Sequence, residues 1–163
     1  MHIQGMEDHL TQTWEMLVGE HLEFSCEKLQ PAELMGQHYF VVTLHPTPSG
    51  YLAGVGLAIS ETDARKATSK MFDLPEAELT SDDIADACAE LCNIFAGGVP
   101  NHVIEEITLD MGLPSRLEPE QFMLILQASQ VTSIYLARID ERKMQVIVFD
   151  CLEAPAESGW QPQ

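Results

Sequence analysis

Residues 82–98 read DDIADACAELCNIFAGG. At about 100° per residue, Ile84, Cys88, Leu91 and Phe95 fall within roughly 60° of one another and define an apolar face. Asp86, Glu90, Asn93 and Gly97 fall within a second arc of roughly 60° on the opposite side. Thr80 or Ser81 offers an oxygen to the free amides of the first turn, and Asp82 and Asp83 suit the positive end of the helix dipole. Nothing breaks a helix from there to Ala96. Gly97, Gly98 and Pro100 predict that regular structure falters, with residues 103–107 able to resume it. The stretch thus predicts a long helix, packed on one side, that shows solvent a line of carboxylate, carboxylate, amide and bare backbone. Ala89 lies beside that line and adds little bulk.

Outward from this helix, the chain alternates between helical and extended patterns. Upstream, Leu10, Trp14 and Leu17, with Met6 one turn earlier, give a helix over residues 7–18 that Gly19 closes. HLEFSCEKLQ (21–30) alternates imperfectly and is compatible with a strand. HYFVVTLHP (38–46) and YLAGVGLAIS (51–60) flank the turn sequence TPSG and predict a hairpin. A short helix follows, with Ser60 as its cap and Ala64, Ala67 and Met71 as its apolar face. Downstream, TLDMGLPSRL (108–117) reads as extended around a proline. Residues 119–127 fit either a helix or a strand. VTSIYLARI (131–139) and MQVIVFD (144–150) around DERK predict a second hairpin. Hairpins flanked by helices indicate an α+β domain over residues 1–152, with a largely antiparallel sheet and two halves similar in outline. Residues 153–163, rich in Pro and Gly, read as a loose C-terminal tail.

The charge narrows the partners. The 163 residues carry 26 acidic side chains against 8 Lys and Arg, a formal charge of −18. So negative a surface repels phosphate backbones and anionic lipid heads, which argues against nucleic-acid and membrane binding and favours a partner with a basic patch. No apolar run approaches the roughly 20 residues needed to span a bilayer. The N-terminus, MHIQGMEDHLTQTWEML, lacks a basic region followed by an apolar run, so the expected compartment is the cytoplasm. The four cysteines form no Cys-x-x-Cys pair and have no His at ligand spacing. They read as small core side chains in a reducing compartment, and no metal site is expected.

A Glu-x-x-Asn spacing alone decides nothing, since chance places one in roughly one chain in three of this length. The context says more. DDIADACAELCNIFAGG resembles the signature of the CheC/CheX/FliY family of chemotaxis phosphatases: Asp or Ser, three residues, Glu, two residues, Asn on a long helix. Asp86, Glu90 and Asn93 fill those positions, and NIFAGG is similar to the family's Asn-x-x-x-Gly continuation. TWEMLVGE resembles its opening helix, GYLAGVGLAISETDARKATSKMF its strand-then-helix unit, and LDMGLPSRL sits where it has a Leu-Pro strand. CheC-like members carry two Glu/Asn pairs; here there is one, so the chain is most similar to the CheX branch. GVPNHV after the glycine pair departs from the family pattern.

The resemblance implies a CheC-like fold and a phosphatase acting on the aspartyl phosphate of a CheY-like receiver domain. Asn93 would then orient the attacking water, and Glu90 would dock to the receiver's active-site Lys. Asp86 would support that docking, and Gly97 would allow close approach. The resemblance further implies a homodimer with no cofactor of its own, Mg²⁺ being supplied by the phosphorylated receiver. The alternative is a non-catalytic adaptor that binds a receiver or other signalling domain through the same helix.

Overall fold

The computed structural model describes residues 5–27, 37–46, 52–103, 109–139 and 142–151. In chain order these form α1 (Met6–Val18), β1 (Phe24–Glu27), β2 (His38–Pro46), β3 (Leu52–Ile59) and α2 (Glu61–Phe72). A single 3₁₀ turn, Glu76–Glu78, leads into α3 (Ser81–Val103). Then come β4 (Leu109–Met111), β5 (Ser115–Leu117), α4 (Pro119–Ala128), β6 (Gln130–Ile139) and β7 (Arg142–Cys151). The turns of both hairpins and the segment 153–163 lie outside the described residues.

The seven strands make one sheet in the order β1-β6-β7-β3-β2-β4, with β5 on the same edge as β4, also against β2. Every pairing is antiparallel. The two predicted hairpins, β2–β3 and β6–β7, sit at the centre and join through β3 and β7, with Val55 opposite Val148 and Leu57 opposite Val146. Each half contributes two helices and a hairpin, with one edge strand from the first half and two from the second. The edge strands are exchanged: β1 of the first half borders β6, while β4 and β5 of the second border β2. That exchange gives the two halves their similar outline and ties them into one sheet.

Strand alternation separates two cores. Phe40, Val42, Leu44, Val55, Leu57, Tyr135, Val146 and Val148 face α1, α2 and α3. The intervening residues Tyr39, Val41, Ala58, Ile134, Ile147 and Phe149 face α4, which covers them with Phe122, Ile125 and Leu126. Gly54 and Gly56 on this second face make room for aromatic rings. A Cβ on Gly56 would lie 2.8 Å from the Phe122 ring, and one on Gly54 would lie 2.5 Å from the Phe149 ring. The stretch 119–127, open between helix and strand, is helical. Pro119 occupies the first turn, and Glu118 and Gln121 form a reciprocal capping box.

The predicted caps are in place. Gly19 closes α1 in the left-handed conformation at φ 77°, and the Ser60 hydroxyl accepts the Asp63 amide at the start of α2. One expectation is corrected: α3 does not falter at Gly97–Pro100 and runs on to Val103. Proline's fixed φ is itself helical, although an interior proline removes the amide hydrogen that would reach the Ala96 carbonyl and its ring crowds that carbonyl. The glycines cost helix propensity, and packing against α1 offsets it, as described below.

Candidate functional site

Thr80 sets the start of α3. Its hydroxyl accepts the Asp83 amide at 3.1 Å, and the Asp83 carboxylate accepts the Thr80 amide at 3.0 Å. Two amides otherwise left without partners are satisfied, and Asp82 and Asp83 place negative charge at the positive end of the helix. The apolar face then anchors the rod. Ile84, Ala87, Cys88, Leu91, Cys92, Phe95, Ala96 and Val99 are all buried. The Phe95 ring meets Phe24 edge-on at 5.8 Å, and the Cys92 thiol points at the Val55 carbonyl of β3 at 3.8 Å. Burial pushes the Cys88 thiol up to about 12 and the Cys92 thiol higher still, so neither is a nucleophile. Their spacing of four is core packing, as read from the sequence.

With one face fixed in the core, the other is fixed in the open. Asp86 and Glu90 are exposed, while Asn93 and Gly97 are half-buried on the same face one turn further along. The sequence thus placed all four on one face, of which Asp86 and Glu90 are open to solvent and Asn93 and Gly97 partly covered. Residues three and four apart on a helix have Cβ atoms about 5–6 Å apart, so Glu90 neighbours Asp86 on one side and Asn93 on the other. Among the described residues, no side chain hydrogen-bonds or ion-pairs with those of Asp86, Glu90 or Asn93. Around Gly97, a Cβ would meet nothing within 4 Å. The surface therefore presents a carboxamide with its acceptor and both donors uncommitted, next to a carboxylate and a patch of bare backbone. Such an amide can accept from a water while donating to an anionic oxygen.

The second glycine does something the sequence did not reveal. A Cβ on Gly98 would fall 2.1 Å from Cδ2 and 2.4 Å from Nε2 of His9, so the imidazole of α1 rests directly on the α3 backbone. From there His9 Nε2 reaches the Ile94 carbonyl at 3.2 Å. The two residues are 85 positions apart in the chain, and no local pattern joins them. The glycine pair thus splits its duties, Gly97 facing solvent and Gly98 facing α1. Among the described residues, no group of three or more His, Cys, Asp or Glu side chains is arranged to hold a metal ion. No helix among the described residues is long and apolar enough to cross a membrane.

An antiparallel sheet of exchanged halves, with three helices on one face and one on the other, defines the CheC-like fold, which solved structures share. The chain resembles CheX in the CheX–CheY–BeF3–Mg²⁺ complex from Borrelia burgdorferi at TM-score 0.69 and 14% identity, covering 93% of this chain and 98% of that one. It resembles CheX from Vibrio vulnificus at TM-score 0.64 and 12% identity, covering 91% and 95%. FliY from Thermotoga maritima follows at 0.55 and 13%, covering 88% and 83%. The family described as "Chemotaxis phosphatase CheX" matches residues 41–136, well over half of the chain. This protein belongs to the CheX family. No curated protein sequence matches it.

Proposed function

We propose that the protein hydrolyses the aspartyl phosphate of a CheY-like receiver domain, with Asn93 as the catalytic side chain. The observation that carries this reading is the uncommitted Asn93 amide beside Glu90 on the exposed face of α3. Membership of a family described as chemotaxis phosphatases supports it, as does the structural likeness to a CheX solved with CheY.

An acyl phosphate is already activated, and the receiver brings its own Mg²⁺ and Lys to the phosphoryl group. What slow self-hydrolysis lacks is a positioned water, and orientation supplies most of the attainable gain. The Asn93 carboxamide oxygen accepts from the water, and its NH₂ donates to a phosphoryl oxygen without adding charge. The water oxygen bonds to phosphorus in line as the bond to the aspartate oxygen breaks. The aspartate leaves as carboxylate, inorganic phosphate forms, and the water's proton passes to phosphate or solvent. Glu90 pairs with the receiver's active-site Lys and aims the helix, Asp86 supports the same docking, and Gly97 admits the receiver close to the backbone. The acting species in this reading is a cytoplasmic homodimer, with one site on each chain.

Incubating a phosphorylated receiver with the protein tests this. Accelerated loss of phosphate, abolished by Asn93→Ala while binding survives, supports catalysis. Complex formation with unchanged dephosphorylation would establish the adaptor alternative instead.

A further inference from the structure

The stretch that follows Asn93 by one turn is the least helix-favouring part of α3. Gly97, Gly98 and Pro100 come within four positions, and Pro100 leaves the Ala96 carbonyl without its helical amide. Unwinding from the Val103 end would release the Phe95, Ile94 and Asn93 carbonyls in turn once it passed Pro100, the last two from the Gly98 and Gly97 amides. Yet the helix continues to Val103. The contact that meets this weak point is His9, half-buried on α1, whose ring covers Gly98 and whose Nε2–H is directed at the Ile94 carbonyl at 3.2 Å. The carbonyl it holds belongs to the residue next to Asn93. Gly98 is the only kind of residue that lets the ring sit so low on the backbone.

We infer that His9 is a positioning residue: it clamps the weak turn of α3 and so keeps Asn93 and the bare backbone at Gly97 in fixed relation to Glu90. The part of this inference that concerns catalysis rests on the phosphatase reading above; the clamp itself does not. Nε2 is the donor in this contact, since a backbone carbonyl can only accept. His9 touches no reacting atom. It works by limiting the fraction of time in which the Asn93 turn is unwound.

The test pairs His9→Ala with His9→Gln, whose amide nitrogen can stand where Nε2 stands. Two readouts are taken on the full chain: hydrogen exchange of the amides of residues 97–99 and 101–103, and steady-state dephosphorylation of a phosphorylated receiver. His9→Ala is expected to speed exchange of those amides by about three- to tenfold, while exchange in the sheet stays as it was. It should lower kcat several-fold with little change in KM, and His9→Gln should restore both. Unchanged exchange in His9→Ala overturns the clamp. Faster exchange with unchanged kcat overturns the positioning role. If the wild-type chain shows no turnover, the phosphatase reading fails by itself, and the exchange data still decide the clamp.

Discussion

Two adjacent glycines on one helix should respond unequally to the same substitution. Replacing either by alanine gains about 1 kcal/mol of helix propensity. At Gly97 the new methyl meets nothing within 4 Å, so that gain should appear whole. For a domain of this size it raises Tm by about 2–4 °C. At Gly98 the methyl would stand 2.1, 2.4 and 2.7 Å from three ring atoms of His9, where carbon contacts settle near 3.5–4.0 Å. Either the helices part, at an overpacking cost of about 1–3 kcal/mol, or the ring swings out and gives up its bond to Ile94, about 0.5–1.5 kcal/mol. Set against the propensity gain, Gly98→Ala should fall between about 0.5 kcal/mol stabilising and about 2 kcal/mol destabilising, short of the full gain at Gly97 by either route. In a His9→Ala background the obstruction is gone, and Gly98→Ala should recover most of its gain. Urea denaturation of the four variants measures all of this as one double-mutant cycle. Equal shifts for the two glycines, or no coupling between positions 9 and 98, would refute the account of how α1 meets α3.

Other outcomes follow from the same structure. Hydrogen bonding from His38, reinforced by Arg65 at 2.8 Å, holds the Glu61 carboxyl below the usual glutamate range. A depressed carboxylate stabilises the fold above its unfolded pKa of about 4.3 and stops doing so as pH falls through its folded value. Acid unfolding of Glu61→Gln should therefore show a shallower loss of stability below about pH 4.5 than the wild type. An identical acid limb in both proteins would discount the His38–Glu61 pair. Phe122 is 1% exposed and fills the space left by Gly56. Its replacement by Ala should cost on the order of 3–5 kcal/mol in denaturant titration, and a loss under 1 kcal/mol would mean that α4 does not seal the second core. Alkylation of the native protein followed by peptide mass spectrometry should mark exposed Cys26 well before buried Cys88 and Cys92. Labelling of all three at one rate would put α3 out of the core.

Much of this architecture is legible in the sequence because it is locally encoded. The apolar period of residues 84–95, the Ser60 and Thr80 caps, Gly19 and the alternation of both hairpins each state their structure within a few residues. The surface line Asp86–Glu90–Asn93–Gly97 is legible for the same reason, since a helix buried on one face must expose the other. Partnerships between distant segments are not. The exchange of edge strands between halves, the seats of Phe122 and Phe149 over Gly56 and Gly54, and the rest of His9 on Gly98 depend on chain crossings that no short window encodes. Residues 119–127 stayed open because a short apolar run suits both periods, and the Glu118–Gln121 box together with Pro119 is what decides for a helix. Pro100 misled in the other direction: its backbone angle suits a helix that tertiary packing keeps intact.

The most direct test of the central claim is the first-order decay of a CheY-like receiver's aspartyl phosphate, followed with wild-type protein and with Asn93→Ala. The substitution removes an uncommitted surface amide and replaces it with a better helix former, so the variant should be at least as stable as the wild type. The wild type should speed the decay, and the variant should lose about a hundredfold or more of that acceleration while still binding the receiver. Equal acceleration by both proteins would contradict the account and move the chemistry away from Asn93.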